Sequence, residues 1–149
     1  MNKIIPVSII IFFKERTENS VKLWCQKRQT KGTLNGLWEF PGGKIEPTEG
    51  PEQAALRELG EEVDPKLAGL SGLDQYKIHP YNFEGNNICL YVFLRCMSKE
   101  TDILDKKGKW FEFDFEKGSK PLEGEIPPEN HRIIDELLGF LKVESYGIN

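Results

Sequence analysis

Three glutamates stand close together in the stretch "GGKIEPTEGPEQAALRELGEEVDP", residues 42–65. At the 3.6-residue period of an α-helix, Glu58, Glu61 and Glu62 fall in one sector of the helix surface. Two carboxylates about 4 Å apart repel each other by roughly 4 kcal/mol at an effective dielectric near 20. Either these side chains form a solvated acidic face, or a cation binds among them. Hard oxygen ligands of this kind favour Mg²⁺ or Mn²⁺.

The residues around these glutamates favour the cation. Gly42 and Gly43 allow the backbone to turn sharply and to bring its carbonyl groups close to a ligand. Lys44 follows, either as a phosphate contact or as a solvated lysine. Arg57 stands beside Glu58, where its guanidinium can orient the carboxylate through paired hydrogen bonds. Together the residues predict a site for a divalent cation and a phosphate group.

Strands alternate with two helices in the sequence, which predicts an α/β fold with a mixed sheet covered by helices. The helix over residues 51–63 carries the glutamates, and its apolar residues fall in a separate sector. A second helix is predicted over residues 128–142. The strands are predicted over residues 4–13, 21–27, 37–40, 87–97 and 110–113. The fourth of these is apolar on both faces, as a central strand would be.

Length and composition set limits on the partners. A chain of 149 residues favours a single domain, residues 1–149. The formal net charge of −4 argues against stable nucleic-acid binding, which needs a clustered basic surface. No apolar run is long enough to span a bilayer, so no membrane partner is expected. Three cysteines without a metal-ligand spacing are expected to be reduced in a cytoplasmic protein.

The glutamate-rich stretch resembles the Nudix box, G-x5-E-x7-R-E-U-x-E-E-x-G-U, in which U is aliphatic. Seven residues match in register: Gly43, Glu49, Arg57, Glu58, Leu59, Glu61 and Glu62. Asp64 and Pro65 depart from the pattern, because they replace its last glycine and its last aliphatic residue. We therefore expect a changed exit from the helix and an intact metal site.

The resemblance extends to the MutT-like subgroup. The segment "QKRQTKGTLNGLWEFPGGKIE" is similar to the one that leads into the box in MutT-type enzymes, and "IPPEN" is similar to their Pro-Pro-x-Asn element. The resemblance implies that Arg28 contacts the nucleotide phosphates and that Asn130 reads the base. Asn130 has an alternative role as a helix cap. Trp38 and Phe40 either line a base pocket or pack in the core.

The family resemblance implies a Nudix-type α/β/α sandwich, with a mixed sheet between helices, that hydrolyses a nucleoside diphosphate linked to a group X. Mg²⁺, or Mn²⁺, would be held by the Gly42 carbonyl and by Glu58, Glu61 and Glu62, while Arg57 would orient Glu58. The general base would be either a glutamate of the box or a carboxylate of a later loop. In that loop Asp105 is our choice.

The sequence leaves three functions possible. The first is a MutT-like diphosphatase that converts a purine nucleoside triphosphate, including an oxidised guanine nucleotide, to the monophosphate and pyrophosphate. The second is a Nudix pyrophosphatase acting on ADP-ribose, a dinucleoside polyphosphate or an RNA 5′ end. The third is a non-catalytic nucleotide-binding module, which the retained glutamates disfavour. The expected partner is a small nucleotide substrate. The protein itself is expected to be a monomer or a homodimer.

Overall fold

The structure is a computed structural model that describes residues 3–28, 34–99 and 101–144. Residues 29–33, in the segment that leads into the box, lie outside the described residues. The strands are β1 Ile4–Lys14, β2 Ser20–Lys27, β3 Trp38–Glu39, β4 Gly42–Lys44, β5 Asp74–Phe83, β6 Asn86–Cys96 and β7 Lys109–Asp114. The helices are α1 Pro51–Glu62, α2 Asp102–Lys107 and α3 Pro128–Glu144, with short 3₁₀ helices at Pro65–Gly69 and Lys120–Leu122.

The predicted α/β class is confirmed, because a mixed sheet of seven strands is flanked by helices. All five predicted strands and both predicted helices are present, with ends displaced by one or two residues. The sequence did not predict β4, β5 or α2. β4 has three residues and α2 has six, too few for a periodic pattern, and β5 contains Pro80. Proline is tolerated there because β5 lies at one end of the strand order.

One compact unit consists of Met1–Phe12 and Phe40–Cys96. In it β4 pairs antiparallel with β1, so that Ser8 lies opposite Gly43 and Ile9 opposite Gly42. β6 lies between β1 and β5, which confirms the predicted central strand. The apolar core of this unit includes residues that are all fully or almost fully buried: Ile10, Ile11, Phe12, Ala54, Ala55, Leu59, Leu90 and Val92. This unit contains the glutamate-rich helix and the glycines before it.

The other compact unit consists of Phe13–Glu39 and Met97–Asn149. Here β2 pairs antiparallel with β7 from Ser20 to Cys25, and the buried Trp24 donates its Nε1–H to the Leu104 carbonyl over 2.7 Å. The apolar stripe of α3 is buried through Ile133, Ile134, Leu137, Leu138 and Leu141. Burial raises the pKa of the Cys25 thiol, which keeps it neutral. A single domain over residues 1–149 stays a prediction.

The two ends of α1 are set by local chemistry. Pro51 is the first helical residue, where the missing N–H leaves no hydrogen bond unmade, and the Gly50 N–H donates to Gln53 Oε1 over 2.8 Å. Asp64 is extended and not left-handed. Its Oδ1 accepts the Lys66 N–H over 2.9 Å and so begins the 3₁₀ helix Pro65–Gly69. The expected change in the helix exit is therefore observed.

Across the described ranges of the chain, no helix has both the length and the apolar composition that a bilayer crossing requires.

Candidate active site

Arg57 is the centre of the polar cluster on α1. Its Nη2 and Nε donate to Glu49, at 2.7 Å and 3.2 Å from Oε1. Its Nη1 donates to Glu58 Oε1 over 2.9 Å and to Glu61 Oε1 over 3.3 Å. Nη2 also donates to the Lys44 carbonyl over 3.0 Å, which ties the helix to β4. The bonds with Glu49, and then those with Glu58, raise the pKa of Arg57.

Negative charge exceeds positive charge in this cluster. The carboxylates of Glu46, Glu49, Glu58 and Glu61 all lie within 3.8 Å of Arg57. One guanidinium balances one of these four charges, so the cluster carries an excess of negative charge. The excess is what a divalent cation would neutralise.

The two glycines bring the backbone of β4 against the carboxylates. The Gly42 N–H donates to Glu62 Oε1 over 3.0 Å. A Cβ added to Gly43 would lie 2.5 Å from Glu58 Cδ, and a Cβ added to Gly42, where φ is +155°, would lie 2.0 Å from the Ser8 carbonyl oxygen. A side chain at either position would therefore meet an obstacle, a movable one at Gly43 and a fixed one at Gly42. At Gly43 the side chain of Glu58 occupies the space, and at Gly42 the neighbouring strand does.

The donor chemistry of this site fits Mg²⁺ or Mn²⁺, because the carboxylates and the glycine backbone offer only hard oxygen ligands. Within the described residues, however, no three His, Cys, Asp or Glu side chains are grouped closely enough to hold a metal ion as they stand. Two of the carboxylates have other partners: Glu58 accepts a hydrogen bond from Arg57, and Glu62 accepts one from the Gly42 N–H. A carboxylate has about four lone-pair sites, so each can keep this partner and also bind a cation. The ligand set of Gly42, Glu58, Glu61 and Glu62 stays a prediction.

The contacts of the first unit bring together Gly42, Gly43, Lys44, Arg57, Glu58, Glu61 and Glu62. Lys44 takes part through its carbonyl, while its side chain is exposed. Phe40 is 5% exposed and belongs to the core, as the packing alternative predicted. The remaining predicted site residues belong to the second unit and are described within it.

Arg28 forms an ion pair that the sequence analysis missed. Its Nη1 donates to Glu39 Oε1 over 2.8 Å. Burial raises the pKa of Glu39, and the neighbouring Arg28 opposes this rise. The sequence did contain a signal for this pair, because Glu39 lies between the aromatic residues Trp38 and Phe40. An acid buried among apolar residues needs a basic partner. Glu39 thus restrains the guanidinium that was predicted to contact phosphate.

Trp38 is half-buried against aromatic and basic neighbours. Its ring packs edge-on against Phe111 with centroids 5.2 Å apart. Lys27 Nζ lies 5.2 Å from the centroid of the same ring, within the range of a cation–π contact. Its packing against Phe111 agrees with the core alternative, and a role in base binding stays a prediction.

Asp105 makes two local side-chain hydrogen bonds. Its Oδ1 accepts the Trp110 Nε1–H over 2.7 Å, and its Oδ2 lies 3.1 Å from Thr101 Oγ1. Lys14 Nζ lies 3.9 Å from Oδ1. These bonds tie α2 to β7, so a structural role competes with the predicted role as general base.

Asn130 lies inside α3 and does not cap it. The helix begins at Pro128, and the Asn130 N–H donates to the Pro127 carbonyl over 2.9 Å. The helix-cap alternative is therefore wrong, since the helix has already started two residues earlier. Base recognition by Asn130 stays a prediction.

Comparison with known proteins agrees with this geometry. A family model described as the NUDIX domain matches residues 3–137. An 8-oxo-dGTP diphosphatase of Proteus vulgaris is 40% identical over 86 residues, which are 58% of this chain and 73% of that protein. The protein of the same name from Escherichia coli is 37% identical over 79 residues, covering 53% of this chain and 58% of the relative.

The fold has solved counterparts. A C. elegans Ap4A hydrolase superposes with a TM-score of 0.64 at 17% identity, over 93% of this chain and 99% of the other. At this level of identity the likeness supports the fold alone.

Proposed function

Because the chain belongs to the Nudix family and is a MutT-like hydrolase, we propose that it converts a purine nucleoside triphosphate to the monophosphate and pyrophosphate with Mg²⁺. An oxidised guanine nucleotide is the favoured substrate. The observation that carries the proposal is the cluster of carboxylates around Arg57, held against the Gly42–Gly43 backbone. The similarity to proteins named 8-oxo-dGTP diphosphatase supports the choice of substrate.

The reaction requires that charge on the phosphates be neutralised and that a water attack a phosphorus atom in line with the leaving oxygen. Bound Mg²⁺ supplies that neutralisation and lowers the pKa of a bound water. Glu58, Glu61 and Glu62, with the Gly42 carbonyl, would hold the ion. Arg57 fixes the orientation of Glu58 through its 2.9 Å hydrogen bond. The water's oxygen forms the new P–O bond, its proton passes to a carboxylate, and the electrons of the broken P–O bond stay on the displaced phosphate group, so that monophosphate and pyrophosphate are released.

The other proposed contacts rest on the resemblance, and each is testable by itself. Lys44 and Arg28 would contact phosphate oxygens, and the pair between Arg28 and Glu39 would limit the rotation of the guanidinium. Asn130 would hydrogen-bond the purine base. Asp105 would accept the proton of the attacking water. A cytoplasmic location is part of the proposal, since nucleoside triphosphates are found there.

A panel of nucleotides tests the function. The purified protein is incubated with Mg²⁺ and dGTP, 8-oxo-dGTP, the other triphosphates, ADP-ribose, a dinucleoside tetraphosphate or a capped RNA, and the products are separated by chromatography. We expect monophosphate and pyrophosphate from purine triphosphates, with 8-oxo-dGTP the best substrate. Cleavage restricted to ADP-ribose, dinucleotides or RNA ends would support the second function instead. Nucleotide binding without hydrolysis by the folded protein would support the non-catalytic module.

A further inference from the structure

Ser8 is a buried hydroxyl in an apolar strand. It is 0% exposed, and the four residues that follow it in β1, Ile9 to Phe12, are all buried and apolar. A buried hydroxyl is unfavourable unless it makes a hydrogen bond. Ser8 Oγ donates to the carbonyl of Pro51, the first residue of α1, over 2.7 Å. The strand is therefore linked to the beginning of the helix that carries the glutamates.

The backbone of the same residue lies against the glycines of β4. Ser8 lies opposite Gly43 in the pairing of β1 with β4. Its carbonyl oxygen lies too close to the position of a Cβ on Gly42 for any residue but glycine to fit there without a shift of the strand. Ser8 thus contacts α1 through its side chain and the glycines of β4 through its main chain.

These contacts hold α1 at two points along its length. The Ser8 hydroxyl holds Pro51, while Gly42 and Gly43 meet Glu62 and Glu58 near the other end. At a rise of 1.5 Å per residue the two attachments are roughly 10–16 Å apart. The Gly42–Glu62 bond uses a carboxylate that is also predicted to bind the cation. The Ser8–Pro51 bond involves no predicted ligand, so a bound cation does not compete for either of its atoms.

We propose that Ser8 is a positioning residue for the metal-binding carboxylates. By fixing the axial position and tilt of α1 against β1, its hydroxyl holds Glu58 and Glu62 opposite the glycine backbone. Ser8 touches neither substrate nor cation, so it acts through the helix. The inference deepens the proposed function, because it takes the carboxylates to be ligands of a divalent cation. It does not depend on which nucleotide is cleaved.

Binding of Mn²⁺ to the nucleotide-free protein tests this inference without any turnover. The free Mn²⁺ signal in electron paramagnetic resonance gives the dissociation constant for the wild type, Ser8→Ala and Ser8→Cys. Loss of a group that hydrogen-bonds a metal ligand directly typically weakens metal affinity by about 10–100-fold. Because Ser8 acts one step further away, through the helix, we expect Ser8→Ala to weaken Mn²⁺ binding severalfold, up to about 10-fold. Ser8→Cys keeps the shape of the side chain with a somewhat larger atom and a weaker donor, and its dissociation constant should lie between the other two.

Ser119→Ala is the matched control, because Ser119 is also buried, 1% exposed, and its Oγ lies 2.8 Å from His131 Nδ1. This variant loses a comparable hydroxyl, and we expect its melting temperature to fall while its Mn²⁺ dissociation constant stays at the wild-type value. If Ser8→Ala cannot be purified folded, Ser8→Cys alone decides.

Wild-type Mn²⁺ affinity in the folded Ser8 variants would overturn the inference, as would equal weakening in Ser119→Ala or the failure of the wild type to bind Mn²⁺. A protein that binds Mn²⁺ in the expected order but hydrolyses no nucleotide would refute the proposed function and leave the role of Ser8 standing.

Discussion

The backbone N–H of Gly42 donates a hydrogen bond to Oε1 of Glu62, 20 residues later in the chain, over 3.0 Å. The bond joins the first residue of β4 to the last residue of α1. Gly43, next to it, lies against the carboxylate of Glu58. The glycines of β4 thus lie directly against two of the carboxylates. Because a side chain at each glycine would meet a different neighbour, replacing them one at a time should have different effects.

Gly43→Ala should impair metal binding while the protein stays folded. Its new Cβ would meet the movable carboxylate of Glu58, 2.5 Å from Cδ, so that side chain is displaced. Gly42→Ala should instead lower stability, because its Cβ would meet the fixed Ser8 carbonyl; overpacking of this kind typically costs about 1–3 kcal/mol. Melting temperature and Mn²⁺ affinity, measured for both, check the contrast. Equal effects of the two substitutions on both quantities would contradict it.

Glu61→Gln should lower turnover by about 100-fold or more, because metal catalysis supplies several kcal/mol and about 1.4 kcal/mol is tenfold in rate. Stability should change little, since the Glu61 side chain is 61% exposed. Turnover is measured at limiting and at saturating Mg²⁺. Glu52→Gln, an exposed glutamate in the first turn of the same helix, is the control and should retain wild-type turnover. Turnover close to wild type for Glu61→Gln at limiting Mg²⁺ would remove Glu61 from the ligand set.

Asp105→Asn separates the general base from the structural role. The amide oxygen of Asn can still accept the Trp110 Nε1–H, which lies 2.7 Å from Oδ1 in the wild type, so the melting temperature should change little. Loss of a general base lowers the rate by about 10²–10⁴-fold, and we expect kcat to fall in this range. A variant with wild-type kcat would show that Asp105 only joins α2 to β7.

Asn130→Ala should reduce the preference for purine over pyrimidine triphosphates. A buried polar contact left unpaired costs about 1–3 kcal/mol, so the ratio of kcat/KM values should fall by about 5–150-fold, while a poor substrate is hydrolysed at nearly the same rate. Because Asn130 does not cap α3, the melting temperature should stay close to that of the wild type.

Asn82→Ala is the matched control for Asn130→Ala, since Asn82 bonds Asn87 and Gly85 in the β5–β6 turn. It should leave the substrate ratio unchanged. An unaltered ratio in Asn130→Ala as well would remove Asn130 from base recognition.

Stability should depend on pH through Glu49. Hydrogen bonds from Arg57 lower the pKa of the Glu49 carboxyl in the folded protein, below its unfolded value of about 4.3. A lowered pKa contributes stability above the unfolded value and loses it as the pH falls through the folded value. The free energy of unfolding of the wild type should therefore exceed that of Glu49→Gln most near neutral pH. Denaturant titrations between pH 7 and pH 3 measure the difference, and a difference that grows toward pH 3 would contradict the prediction.

The sequence alone determined the elements with a strong local pattern. The apolar runs of β1 and β6 and the periodic stripes of α1 and α3 predicted those elements to within a residue or two. Spacing alone also placed Glu58, Glu61 and Glu62 on one side of α1, because neighbours on a helix are set by its period. The motif that these residues form with Gly43, Glu49 and Arg57 was sufficient to predict the family.

Only the tertiary structure decided which partner each side chain has. It paired Arg28 with Glu39 and bonded Asp105 to Trp110. It also connected Ser8 to Pro51 across 43 residues of chain. No local pattern encodes such contacts, because a buried polar group takes whichever partner the packing of distant strands and helices brings within reach.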